Sequence, residues 1–276
     1  MDLKKKSFSM DFMGRPLTLE VSKIAEQANG AVLAKYGETM VLATAVMEGQ
    51  DLEKDYLPLM VDYEHKFYSI GKILGGRFMK REGKSTDSAV LSARMVDRTI
   101  RPLFDYRLRR DLQVVITILS FDKENDHTFL GLLAASTALG ISDIPWGGPV
   151  GAVNVAQLGG KASVEPKLSD AVAAGFKGFV SGTEDFINMI EFDGHEAREA
   201  DVAMAFEAAH EAIKKLIDFQ KKIIAEVGKK KQEVKLSEPT PEIASEIKTL
   251  MAGKLESAIY VADKVDRQKR LGSLKD

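Results

Sequence analysis

The chain is 276 residues long, 45% hydrophobic and 29% charged, with 39 Lys/Arg against 41 Asp/Glu and a formal net charge of −2. That is the composition of an ordinary globular protein, long enough for one large core and something smaller beside it. The absence of cysteine excludes disulfides, thiolate metal sites and cysteine nucleophiles and suits a reducing cytoplasm, and no apolar run is long enough for a signal peptide or a membrane span.

The first half reads as strands joined by tight turns. Residues 8–12 and 17–21 alternate around Met13-Gly14-Arg15-Pro16, a hairpin signature. Residues 31–36 and 40–47 form a second pair around Gly37-Glu38-Thr39, and residues 57–67 a further strand. A helix capped by Ser85, Thr86 or Asp87 and stopped by Pro102 follows, with Val90, Leu91 and Met95 as its expected apolar stripe. The apolar run at 112–119 predicts a strand buried on both faces. The small residues of the next predicted helix, 126–140, allow close packing on a sheet. Lone, this strand and helix are expected to expose a partner-facing patch. Further strands are predicted at 150–155, 179–181 and 186–192, then a long amphipathic helix at 196–227. Residues 228–242 read as a linker, and 243–275 as two short helical pieces broken at Gly253. Strands and helices interleave, so the class is α+β or α/β, divided into a domain at 1–228 and a tail at 229–276.

Charge is concentrated in one place. Residues 71–110 carry eleven Lys/Arg against four Asp/Glu, a local +7 on a chain of −2. Arg94, Arg98 and Arg101 fall at i, i+4 and i+7, which puts three guanidiniums on roughly one helix face. Before them runs Gly75-Gly76-Arg77-Phe78-Met79-Lys80-Arg81, with Lys84 just beyond. An aromatic ring beside cations on a glycine-opened loop suits single-stranded nucleic acid, whose bases stack while its phosphates are neutralised.

Signals for bond-breaking chemistry are missing. There is no P-loop, no G-x-G-x-x-G after a strand and no G-x-S-x-G. The four histidines lack metal-ligand spacing, and the carboxylates Glu191, Asp193, Glu196 and Glu199 suit the start of a helix better than a Mg²⁺ site. Read alone, these residues can hold a polyanion and show no place to break one.

Several of these stretches together resemble the first RNase PH-like core of the polynucleotide phosphorylase family: GGRFMKREGK with LSARMVDRTIRPLF, MGRPLTLE at 13–20, GETMVLATAV at 37–46, LPLMVDYEHKFYSIGKI at 57–73 and GLLAASTALGISDIPWGGPVGAV at 131–153. The resemblance runs over roughly residues 6–225, and the tail resembles the start of that family's all-helical domain. It implies an α+β RNase PH-like fold (ribosomal protein S5 domain 2-like, a mixed sheet with packed helices) and phosphorolysis of RNA from the 3′ end. In that chemistry inorganic phosphate, assisted by Mg²⁺, attacks the terminal phosphodiester and releases nucleoside diphosphates. The family's ring of three chains, each with two such cores, implies self-association, a second core that holds the Mg²⁺ and the phosphorolytic centre, and links to RNA-degradation machinery. No membrane partner is implied. The RNA-binding residues carried over are Phe78, Met79, Lys80, Arg81, Lys84, Arg94, Arg98 and Arg101, with Met79 and Lys80 departing from the family's aromatic–aromatic–arginine–arginine loop. No catalytic residue is carried over: Lys177 and Phe179 stand where the catalytic core has an aspartate and a lysine, and Ala134-Ala135-Ser136 lacks a serine-rich phosphate loop. The competing expectation is a stand-alone RNA-binding or ring-assembly subunit of the RNase PH or exosome kind.

Overall fold

The computed structural model describes residues 4–73, 75–76, 78 and 82–275. Strands β1 (Lys6–Phe12) and β2 (Arg15–Val21) form the first hairpin, and its two-residue turn places Met13 and Gly14 at φ 52° and 75°. Positive φ at both turn positions matches the right-handed twist of the flanking strands, which is why glycine follows there. β3 (Gly30–Tyr36), β4 (Thr39–Asp51), β5 (Leu59–Glu64) and β6 (Arg110–Ser120) complete a six-stranded sheet in the order β1-β2-β3-β4-β6-β5. Every pairing is antiparallel except β5 with β6, which are parallel and joined by the crossover helix α1 (Asp87–Ile100).

Helix α2 (His127–Ile141) follows, then β7 (Gly151–Leu158), β8 (Lys161–Val164), the single turn α3 (Leu168–Ala171), β9 (Phe176–Gly182) and β10 (Ile187–Gly194). These strands make an antiparallel sheet in the order β10-β9-β7-β8, on which α4 (Glu199–Val227) packs. α2 lies against β3, β4 and β6 of the first sheet and against β7 and α4 of the second half, so all fifteen of its residues are buried. Asp126 caps it by accepting the Thr128 N–H at 3.0 Å. The close approach needs Gly131, where a Cβ would stand 3.0 Å from Ile116 and 3.2 Å from Tyr63.

Several expectations need correction. Leu112, Val114, Ile116 and Ile118 of β6 are buried while their alternates are only half-buried, because α2 covers one face of that sheet. Nor do β6 and α2 form an exposed patch, since the second sheet and α4 enclose the helix. The strand at 57–67 is shorter than its pattern: after Glu64 the chain leaves the sheet for a 3-10 turn, Phe67–Ile70, ended by Gly71 at φ 71°.

Two compact units are present, Met1–Lys235 and Leu236–Asp276. The boundary falls beyond the expected residue 228 because the start of the linker is fastened to the first unit. Lys229 N–H donates to the Ile141 carbonyl at 2.9 Å and Gln232 N–H to that of Asp143 at 2.7 Å. Lys231 Nζ donates to the carbonyls of Leu139, Gly140 and Ser142 at 2.7, 3.0 and 2.7 Å, closing the end of α2. The second unit holds three helices rather than two: α5 (Pro241–Met251), α6 (Lys254–Ile259) and α7 (Lys264–Lys275). The break at Gly253, with φ 73°, is where the sequence puts it.

Candidate nucleic-acid interface

α1 is anchored before it can present anything. Thr86 Oγ1 accepts the Ala89 N–H at 3.2 Å, and Asp87 sits in the first turn, where the helix dipole favours it. At the other end two side chains satisfy the last carbonyls: Asn188 Nδ2 donates to Thr99 at 3.0 Å and Trp146 Nε1 to Ile100 at 3.1 Å. The buried face is Ala89, Ser92, Val96, Thr99 and Ile100. Ser92 bonds Thr128 at 3.3 Å and Thr99 bonds Ser181 at 2.7 Å, so its hydroxyls are satisfied across the packing surface. Of the expected apolar stripe only Met95 packs against the core: Val90 is 43% and Leu91 59% exposed.

The three arginines divide. Arg94 and Arg98 are exposed, and among the described residues neither has a hydrogen-bond or ion-pair partner; the same holds for exposed Lys84. Arg101 is engaged. Its Nε and Nη2 donate to the Asp97 carboxylate at 2.8 and 2.6 Å, and Nη2 and Nη1 reach the carbonyls of Leu59 and Leu57 at 3.0 and 3.4 Å. That fork ties the end of α1 to the start of β5. Phe78 is 95% exposed, while Met79, Lys80 and Arg81 lie outside the described residues.

The root of the basic loop is well fixed. Glu82 Oε1 accepts the Phe67 N–H at 2.8 Å, which fastens the loop's return to its departure. Behind it His65 and His127, far apart in sequence, meet ring to ring at 4.6 Å, with Tyr63 Oη 2.7 Å from His127 Nδ1. Burial lowers the pKa of both histidines, and the His65 ring depresses His127 further.

Sequence reasoning missed a polar cluster joining both sheets. The Arg15 guanidinium lies over the Tyr36 ring, 4.5 Å from its centroid, and donates to Asn125 Oδ1 and to the Glu165 carbonyl. The buried Glu165 carboxyl accepts the Asn154 backbone N–H at 2.8 Å and its side-chain amide at 3.1 Å, and that amide also reaches Asp126 at 2.9 Å. Burial, reinforced by Asp126, pushes the Glu165 pKa up to about 8.

The positions matching catalytic ones in the resemblance are occupied by other business. Lys177 Nζ pairs with Asp193 at 3.3 Å, Phe179 is buried, and buried Ser136 accepts the Val150 N–H at 3.0 Å. Among the described residues no group of three or more His, Asp and Glu converges on a metal-sized site, and Glu191 and Asp193 stand on β10 apart from the start of α4. These residues do not fit a bound Mg²⁺. No helix among them is long and apolar enough to cross a membrane.

The fold defines the class. Residues 13–145 match the family model for the 3′ exoribonuclease family, domain 1, of RNase PH type. The rice (Oryza sativa) Rrp46 crystal structure shares the fold at a TM-score of 0.60 and 13% identity, covering 79% of this chain and 94% of that one. The polyribonucleotide nucleotidyltransferase of Heliobacterium modesticaldum is 42% identical over 262 residues, 95% of this chain, and that of Listeria welshimeri is 40% identical over 273 residues, 99% of it. Residues 13–145 thus carry domain 1 of the 3′ exoribonuclease family, and the chain spans 37% and 38% of the length of those two relatives.

Proposed function

We propose that this chain forms the RNA-positioning part of a polyribonucleotide nucleotidyltransferase, a phosphorolytic 3′-to-5′ exoribonuclease. The observation that carries the reading is the pair Arg94 and Arg98, exposed and without a partner among the described residues, on a helix that follows a sequence dense in cations. Guanidiniums without a protein carboxylate are free to take phosphate oxygens two at a time, and placing charge where phosphoryl transfer occurs is most of that chemistry. Lys84, Lys80 and Arg81 add charge along the strand, and Phe78 offers a ring to a base. Arg101 belongs to the same face as a positioning residue, holding α1 on β5.

On this reading residues 1–228 are the first RNase PH-like core, with its strap to Lys235, and the remainder begins a helical domain. A second core, outside this chain, holds the Mg²⁺ and the attacking phosphate. Three such chains closing a ring in the cytoplasm complete the arrangement, as the family resemblance implies. The chain alone, given oligo(A), phosphate and Mg²⁺, is expected to release no ADP, because Lys177, Phe179 and Ser136 replace or occupy the positions that would do the work. Robust ADP release from pure protein would overturn the non-catalytic assignment.

A further inference from the structure

We infer that Tyr68 is a second base-stacking platform, built into the root of the basic loop, for the single-stranded RNA proposed above; the inference rests on that reading. The family's loop carries two adjacent aromatics, and in this sequence the second position is Met79, so one ring is lost where bases would stack. The structure supplies another. Tyr68 is 50% exposed on the 3-10 turn just before the loop.

The six tyrosines of the chain differ in what their rings and hydroxyls already do. Tyr36 and Tyr63 are buried, and their hydroxyls are bonded to the Phe12 carbonyl and to His127. Tyr56 and Tyr106 are exposed, but Lys54 and Arg107 sit near their ring faces at 5.7 and 6.0 Å, and those cations are paired with Asp111 and Asp105. Each of those ring faces already has a cation beside it, which competes with a base for the same face. Tyr260 stands in the C-terminal unit. Among the described residues, Tyr68 alone of the first unit's exposed tyrosines has no cation over its ring and no hydrogen bond on its hydroxyl, with Lys66, paired to Glu64 at 2.7 Å, in electrostatic reach of it. Exposed Lys72, four positions on, and Lys84 across the loop root are cations without a partner among those residues.

The backbone beneath the ring is fixed on every side. Ser69 Oγ donates to the Lys66 carbonyl at 2.7 Å, and Phe121 N–H to that of Ser69 at 2.9 Å. Gly71 N–H donates to the Tyr68 carbonyl at 2.9 Å, Lys72 N–H to that of Phe67 at 3.1 Å, and Glu82 holds the Phe67 N–H. A ring on such a turn loses little freedom when a base lies on it, so more of the stacking free energy appears as affinity.

The test compares oligo(A) with an abasic oligonucleotide of equal length, binding the full chain at several salt concentrations. Tyr68→Ala should weaken oligo(A) binding by about tenfold with an unchanged salt slope and leave abasic binding as it was. Tyr68→Phe, which keeps the ring, should bind like the parent, and both variants should melt with it, since the side chain supports no core group. Unchanged oligo(A) affinity in Tyr68→Ala, an equal loss on the abasic strand, or a Tyr68→Phe as weak as Tyr68→Ala would each overturn the inference. If the parent chain itself binds no oligo(A), the RNA-positioning reading fails and takes this one with it.

Discussion

Arg94, Arg98 and Arg101 share one helix face yet differ in what removing them would expose. Among the described residues Arg94 and Arg98 have no partner to strand, so each alanine substitution should leave stability within about 0.5 kcal/mol. Each should also make the salt dependence of log K for single-stranded RNA shallower by about 0.7. Arg101→Ala leaves Asp97 and two carbonyls without their donor and should cost about 1–2 kcal/mol of stability. Urea melts and salt titrations of the three variants decide; equal behaviour of Arg98→Ala and Arg101→Ala in both would sink the division. The shared face was legible from the i, i+4, i+7 spacing, because geometry alone sets it. The division was not, since it depends on Leu57 and Leu59 arriving beside Arg101. Val90 and Leu91 were misread for a related reason: α1 buries Ser92 and Thr99 against Thr128 and Ser181, and hydroxyls paired across a packing surface carry no apolar signal.

Among the elements, α2 was the easiest to read and the end of α2 the hardest. Its Asp126 cap and its small residues are local features, and Gly131 meets Ile116 as close packing requires. Its last carbonyls are closed by Lys231, which lies 89 to 92 residues further along. In the sequence that lysine is one of several in a polar stretch that looks like a free linker. Burial brings its pKa down to about 8. Lys231→Met keeps the aliphatic stem but removes the donors, and it should destabilise the first unit by about 1–3 kcal/mol with an unchanged denaturant m-value. A change within about 0.5 kcal/mol would mean that water replaces the lysine at those carbonyls.

At the scale of the whole molecule, the Arg15–Glu165 cluster makes folding stability depend on pH. Glu165 has a folded pKa of about 8 against an ordinary 4.5, so the folded chain keeps a proton that the unfolded chain has lost. Its contribution is full below pH 4.5 and is lost as pH rises towards 8. The buried histidines act in the opposite sense, but only below their ordinary value of 6.5, and Lys231 acts above its folded value of about 8. The window between pH 6.5 and 8 therefore isolates Glu165, where stability should fall by up to about 1.4 kcal/mol per pH unit. Glu165→Gln should flatten that slope whatever its absolute melting temperature, and an unchanged slope would assign the effect elsewhere. None of this was legible, because Arg15 and the Glu165 carbonyl it holds are 150 residues apart.

The enclosure of α2 also has a consequence in time. A chain emerging from the ribosome completes β3, β4 and β6 before α2, so one side of the helix has its partners at once. β7 and α4, which cover the rest, come later, and α4 begins only at Glu199. Until then a helix with fifteen residues destined for burial has only half of its shelter. During synthesis the first sheet and α2 therefore have an open flank, and the order of the elements, rather than their final packing, sets when the residues that cover it become available.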